Sequence, residues 1–230
     1  MESASSPRLV TLAERDARVL TLVGRRQIEW DALAAVRIRV GASAIACYVV
    51  LPMEVMCVLA VPAEISPAGV DSDITVSLSS FVTGLEEAIA AGHDIRFDVD
   101  GLPRVNAPVG HGLTLAQLPP REGWQMPIHG VSGDVLPVVE EAVAEFRQRS
   151  SGMSERQAEP IAEEIWSRNA WAGLPMRTLH AGRRLRLLTD EPLRITASTC
   201  GPWKRLSTPR GQLFTYSTGI EARLGLHVVR

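Results

Sequence analysis

Apolar residues return at two different spacings along this chain, and the switch between them predicts its elements. Val10, Ala13, Ala17, Leu20 and Val23 recur at helical spacing, with Arg15, Asp16 and Arg18 between them. Ser6-Pro7 ahead of them is a helix start, because serine can cap and proline suits the first helical position. Gly24 is expected to end that helix, and a second helix is expected over residues 28–36. Residues 42–62 are almost wholly apolar and about as long as a membrane span. Pro52 and Glu54 interrupt them at the centre, where a charge is costly in lipid. They therefore read as two buried strands, 48–51 and 55–61, turning near Pro52-Met53. Leu78, Phe81, Val82, Leu85, Ala88 and Ile89 form a helical stripe, with Gly92 placed to end it. Residues 94–100 alternate polar and apolar side chains as a strand does, and Asp100-Gly101 reads as a turn.

The second half is punctuated by proline. Pro103, Pro108, Pro119, Pro120 and Pro127, with Gly110, Gly112 and Gly123, argue against regular structure over residues 102–128. A loop of this length is usually functional or wraps a neighbouring domain. Ser132 is expected to cap a helix burying Val135, Val138, Val139, Ala142 and Phe146, and Ser150-Ser151-Gly152 is expected to be a linker. Pro160 should stand at a helix start, because its ring disrupts an interior. Ile161, Ala162, Ile165 and Trp166 then face inward. Pro175 opens a further helix with Met176, Leu179 and Leu185 inward. Residues 193–198 and 213–216 read as strands around Gly201-Pro202 and Pro209-Arg210-Gly211. No internal repeat is visible, and the tail 220–230 reads as a strand.

Charge divides the chain more sharply than composition does. Of 230 residues 46% are hydrophobic, ample for a packed core, and the net charge is only −2. Residues 1–150 hold 12 arginines against 19 acidic residues, whereas residues 151–230 hold 11 arginines and Lys204 against 7. An anionic partner is therefore expected to meet the C-terminal half. Cys47, Cys57 and Cys200 show no paired spacing, which fits a reducing cytosol and no disulfide framework. No signal peptide is visible at the N-terminus, so a cytoplasmic location is expected.

Residues 161–216 resemble a winged helix-turn-helix. The helix after Ser132, the helix from Pro160 and the arginine-rich helix from Pro175 take the place of its three helices. Trp203-Lys-Arg-Leu-Ser-Thr-Pro-Arg-Gly211 is similar to the returning wing strand of MarR-like regulators. Arg186 stands where a glycine commonly ends the recognition helix. The resemblance implies that Arg177, His180, Arg183 and Arg184 face a DNA groove, with Lys204, Arg205 and Arg210 on the phosphate backbone. An ordinary solvated face paired with carboxylates explains the same arginines, and protein contact is the second use of such a fold.

Enzymatic signals are weaker. Phe97-Asp-Val-Asp-Gly-Leu102 is similar to the Asp-x-Asp-Gly-Thr motif of haloacid dehalogenase-like phosphatases, but Leu102 replaces the threonine. His111 and His129 flank the proline-rich loop, and with Asp98 and Asp100 they make the alternative, a metal-dependent hydrolase. No Gly-x-Ser-x-Gly or Walker A spacing is present.

The expected protein is thus α+β, with N-terminal helices on a small sheet and a C-terminal winged-helix-like domain. An acidic domain is expected over 1–130, including the proline-rich loop, and a basic one over 131–230. The expected function is a non-enzymatic regulator or scaffold contacting DNA or an acidic protein surface, with no cofactor and no membrane, and open to homodimerisation.

Overall fold

A computed structural model describes residues 9–68, 71–92, 95–99, 101–106 and 112–217. The chain divides into two units. Unit 1 comprises Met1–Pro52 with Met56–Leu118, and unit 2 comprises Met53–Val55 with Pro119–Arg230.

Unit 1 begins with strand β1 (Leu9–Leu12), and helix α1 (Glu14–Ile28) follows directly. The start expected at Ser6-Pro7 lies outside the described residues, and Val10 belongs to the strand. Gly24 does not end α1. It sits inside the helix because helix α2 (Leu78–Ala90) passes close by, and a Cβ at Gly24 would lie 2.5 Å from Val82 Cγ2. The expected second helix over 28–36 is absent. Strand β2 (Ala35–Val40) starts there instead, because buried Val36, Ile38 and Val40 alternate with Arg37 and Arg39. The apolar stretch 42–62 folds as β3 (Ala44–Leu51) and β4 (Val55–Pro62), turning through Met53 and Glu54, which both carry positive φ. No helix among the described residues is long and apolar enough to cross a membrane.

Strands β5 (Glu64–Ser66), β6 (Ser72–Ser77) and β7 (Ile95–Asp98) complete unit 1. β6, β2, β3 and β4 are hydrogen-bonded in that order, and β1 is flanked by β5 and β7 in a second, antiparallel group. α1 and α2 bury Leu20, Leu78 and Phe81 against Val36, Cys47, Val49 and Cys57. The α2 stripe is as expected at Leu78, Phe81, Val82 and Leu85, and Ser77 caps it by accepting from Ser80 N.

Unit 2 contains strand β8 (Gln125–Val131), helices α3 (Ser132–Arg149), α4 (Glu155–Ser167) and α5 (Met176–Arg184), and strands β9 (Arg194–Cys200), β10 (Trp203–Thr208) and β11 (Gly211–Tyr216). The strands pair in the order β11, β10, β9, β8. Ser132 is the first residue of α3 rather than its cap. Its hydroxyl donates to Glu191 O at 2.5 Å and accepts from Leu193 N at 3.0 Å, so it fastens the helix start to the entry of β9. Ser150–Gly152 is a turn between two packed helices, not an interdomain linker. Pro160 lies inside α4, which starts earlier because Gln157 Oε1 accepts from Ser154 N and Ser154 Oγ, both at 2.9 Å, and fastens the first turn. Glu145, Arg149, Glu164 and Arg168 then tie α3 to α4 through exposed ion pairs.

The winged-helix expectation fails on strand pairing. The two strands taken for a wing are β10 and β11, and Leu206 and Leu213, opposite each other in register, are both fully buried. A Cβ at Gly182 of α5 would touch Leu213, so the expected recognition helix lies on these strands with its Leu179 face hidden. A wing projects from its domain, whereas β10 has strands on both sides. A repeat invisible in the sequence also emerges: β1-α1-β2-β3-β4 and β8, α3 to α5, β9-β10-β11 share a strand, helix, three-strand order. The expected strand over 220–230 lies outside the described residues.

Gly24 gives the first test. Alanine is favoured over glycine inside a helix by about 1 kcal/mol. The stiff Val82 side chain cannot yield cheaply, and overpacking costs about 1–3 kcal/mol. Gly24→Ala is therefore expected to lower stability in urea unfolding; a gain in stability would contradict the close α1–α2 approach.

Candidate functional site

A cleft of about 230 Å³ opens in unit 1. Its walls come from three places: the turn after α1 with the start of β2 (Asp31, Ala34, Ala35), the end of β3 (Val50, Leu51, Pro52), and the loop residues Leu113, Thr114 and Leu115. The first wall is held by Asp31, whose Oδ1 accepts from Leu33 N at 2.9 Å, and by Ala34 O, which accepts from Leu78 N. The turn leaves Leu33 89% exposed at the edge of this wall. The third wall depends on Arg37. Its Nη1 donates to Leu115 O at 2.6 Å, while Nε and Nη2 grip both oxygens of Asp73 at 2.7 Å. That bidentate pair holds the Asp73 carboxyl below its ordinary range and raises the Arg37 pKa. The lining is mainly aliphatic, with Asp31 as its acidic group, so the cleft suits an apolar side chain better than bond-making chemistry. Nothing in the sequence pattern singled these residues out, because they are distant in the chain and individually ordinary.

The basic residues proposed from sequence all fall in unit 2 and are largely occupied there. Arg183 pairs with Glu140 at 3.1 Å and Asp190 at 3.4 Å. Arg210 pairs with Glu191 at 2.5 Å and also donates to Arg186 O. Arg186 holds φ of 58°, filling with an arginine the left-handed position that glycine favours after a helix. Lys204 Nζ donates to Gly173 O at 2.7 Å. Arg177 is half-buried, with its Nε hidden and without a hydrogen-bond partner among the described residues. Arg205 lies 4.3 Å over the Trp124 ring. Arg184 is exposed.

His180 is part of the packing. It stacks on Trp166 with ring centroids 4.4 Å apart, and Trp166 in turn packs on Phe146. Burial, aided by the nearby charge of Arg184, pushes its pKa down to about 4.

Of the alternative metal set, His129 and Asp98 are described and His111 and Asp100 are not. His129, on β8 in unit 2, shares a hydrogen bond of 3.1 Å with Thr196 Oγ1. Asp98 ends β7 in unit 1. Among the described residues no three His, Cys, Asp or Glu side chains converge as a metal site. Cys47 and Cys57 are buried in unit 1, and burial raises both thiols to about 12, which keeps them protonated and unreactive.

The whole architecture has known counterparts. A DNA polymerase sliding clamp from Pseudomonas aeruginosa, solved with ligand, matches with a TM-score of 0.53 over 97% of this chain and 68% of its own, at 12% identity. The DNA polymerase III beta subunit from Thermotoga maritima matches with a TM-score of 0.52 over 96% and 68%, also at 12% identity. A DnaN sliding clamp from Bartonella birtlesii bound to griselimycin gives 0.52 over 97% and 69%, again at 12%. The fold is sliding-clamp-like. It replaces the MarR-like winged helix expected from residues 161–216. Residues 5–102 match the family described as Domain of unknown function (DUF8010), and residues 119–219 match Domain of unknown function (DUF8185). No curated protein matches this chain in sequence.

His180 generates a pH prediction. Its ordinary pKa is about 6.5, so the fold favours the neutral ring and unfolding takes up a proton in acid. The stability this contributes is present above about pH 6.5 and is lost as pH falls toward about 4. The loss is expected to be at most about 3 kcal/mol. In urea unfolding between pH 7 and 4, His180→Phe should flatten that part of the profile; an unchanged slope would contradict a buried neutral ring.

Proposed function

We propose that this protein is a non-enzymatic scaffold that holds partner proteins, taking an apolar side chain of a partner segment into the unit 1 cleft. The observation that carries this is the cleft itself: a mainly aliphatic lining, a wall pinned by Arg37, and Leu33 held out in water beside it. An exposed leucine next to a preformed apolar cavity is a binding surface with little to reorganise. The clamp-like fold supports a scaffold role, because such chains are solved as sliding clamps, one with a ligand and another bound to griselimycin.

The basic C-terminal residues form a second contact region in this proposal, facing an acidic protein surface. Protein is favoured over DNA by their pairing. DNA affinity grows with the number of phosphates neutralised by available cations. Here Arg183 and Arg210 already have carboxylates, and α4 offers four glutamates against one arginine.

The test is selection of displayed random heptapeptides against the full chain, followed by fluorescence anisotropy of the enriched sequences. Enriched peptides are expected to share an apolar anchor. Leu33→Asp should weaken them by about tenfold, the worth of part of one buried leucine, and Ala34→Arg should weaken them further by occupying the cleft. Enriched peptides that bind both variants as tightly as the parent would sink the cleft assignment.

A further inference from the structure

Antiparallel register sorts the side chains of β9, β10 and β11 onto two faces. Leu206 and Leu213 occupy the face covered by α5. Arg205 occupies the other, directly opposite Phe214 on β11 and Ser198 on β9. Its Nε donates to Ser198 Oγ at 3.0 Å, and its guanidinium lies 4.3 Å from the Trp124 centroid. Trp124 is itself fixed: Nε1 donates to Pro120 O at 3.0 Å, and the ring rests against Phe214 at 5.6 Å. Arg205 is therefore held by one nitrogen and one ring face. Its two terminal nitrogens donate to no described residue.

Its neighbours set it apart from other arginines in the protein. Arg37, Arg183 and Arg210 each hold a carboxylate. Arg205 has none among the described residues, and burial lowers its pKa. One step along the strands, Gln212, Ser207, Thr196 and His129 form a cross-strand row of side chains that can each donate a hydrogen bond. No member of that row is acidic.

We propose that Arg205 and this row bind a carboxylate presented by a partner protein, an acidic residue with an apolar neighbour. A guanidinium fork accepts a carboxylate through two parallel hydrogen bonds. Stacking on Trp124 fixes the plane of the fork, so little freedom is lost on binding. Half-burial strengthens the pair relative to one in open water. Trp124 and Tyr216, both half-buried, offer the apolar contact beside it. Arg205 sits among uncharged side chains, and the exposed Arg194, two residues before Thr196 on the same face of β9, adds a second cation; two cations match a carboxylate, whereas a nucleic-acid strand would call for more of them in line. The site names the acidic partner chemistry of the proposed scaffold, but shares no residue with the unit 1 cleft, so either can fail without the other.

The full-length protein labelled with ¹⁵N provides the test through its arginine Nε–H resonances, Arg205 being assigned by its loss in Arg205→Gln. Three probes are titrated at constant ionic strength: blocked N-acetyl-Glu-Leu-amide, its Gln-Leu counterpart, and a single-stranded oligo-dT. Saturable movement of the Arg205 resonance is expected with the Glu probe, with affinity for the Gln probe lower by about tenfold, as for loss of a charge-assisted hydrogen bond. Arg205→Lys, which keeps the charge and loses the fork, should bind several-fold more weakly. No saturable response to the Glu probe, equal response to both peptides, or tighter binding of oligo-dT would each overturn the proposal. Ser207→Ala combined with Gln212→Ala tests the row while leaving Arg205 in place; unchanged affinity for the Glu probe would overturn the row's part in it.

Discussion

Helices pack on one face of the paired strands in each unit, and the rest of the structure depends on that burial. In unit 1, α1 and α2 close over Val36, Cys47, Val49 and Cys57, and in unit 2 α5 closes over Leu206 and Leu213. Each large aliphatic side chain removed from water in this way contributes about 1.5–3 kcal/mol. Because strand side chains alternate, the same burial commits every second residue to the opposite face. Arg37 and Arg39 are placed there in unit 1, and Arg205, Ser207 and Thr196 in unit 2. What the strands present on their other face follows from which side chains the helices take up.

The unit 1 cleft shows how local chemistry turns that frame into a site. α1 stops at Ile28, and the turn closed by Asp31 carries the chain into β2 with Leu33 outward. Arg37, excluded from the core by alternation, reaches across to Asp73 and captures Leu115 O. One arginine thus links strand pairing to the position of a loop. The pair with Asp73 is partly exposed, so its value lies in aiming the guanidinium more than in stability.

Elements with strong local periodicity were legible in the sequence, and those defined by distant pairing were not. The α2 stripe and the turn near Pro52-Met53 need only neighbouring residues, and both were found. The start of β2 reads as helical in sequence because residues 28–36 straddle a helix end and a strand start, so neither period dominates. The winged-helix resemblance rested on a proline-led, arginine-rich helix followed by two strands around Pro209-Arg210-Gly211. That local pattern is the same whether the hairpin projects or lies within a larger strand array, and only the partners of β9, β10 and β11 decide it. The basic residues illustrate the same limit: spacing places Arg183 on a helix face, but Glu140 and Asp190, which occupy it, come from elsewhere. The cleft had no sequence signal, since its three walls are brought together only by folding.

The central claim is that a partner segment seats its apolar side chain in the unit 1 cleft. Hydrogen–deuterium exchange of the full chain, with and without a saturating selected peptide, tests it most directly. Protection concentrated in residues 31–35, 50–52 and 113–115 is the predicted result. A bound peptide that leaves those three segments unprotected while slowing exchange elsewhere would contradict it.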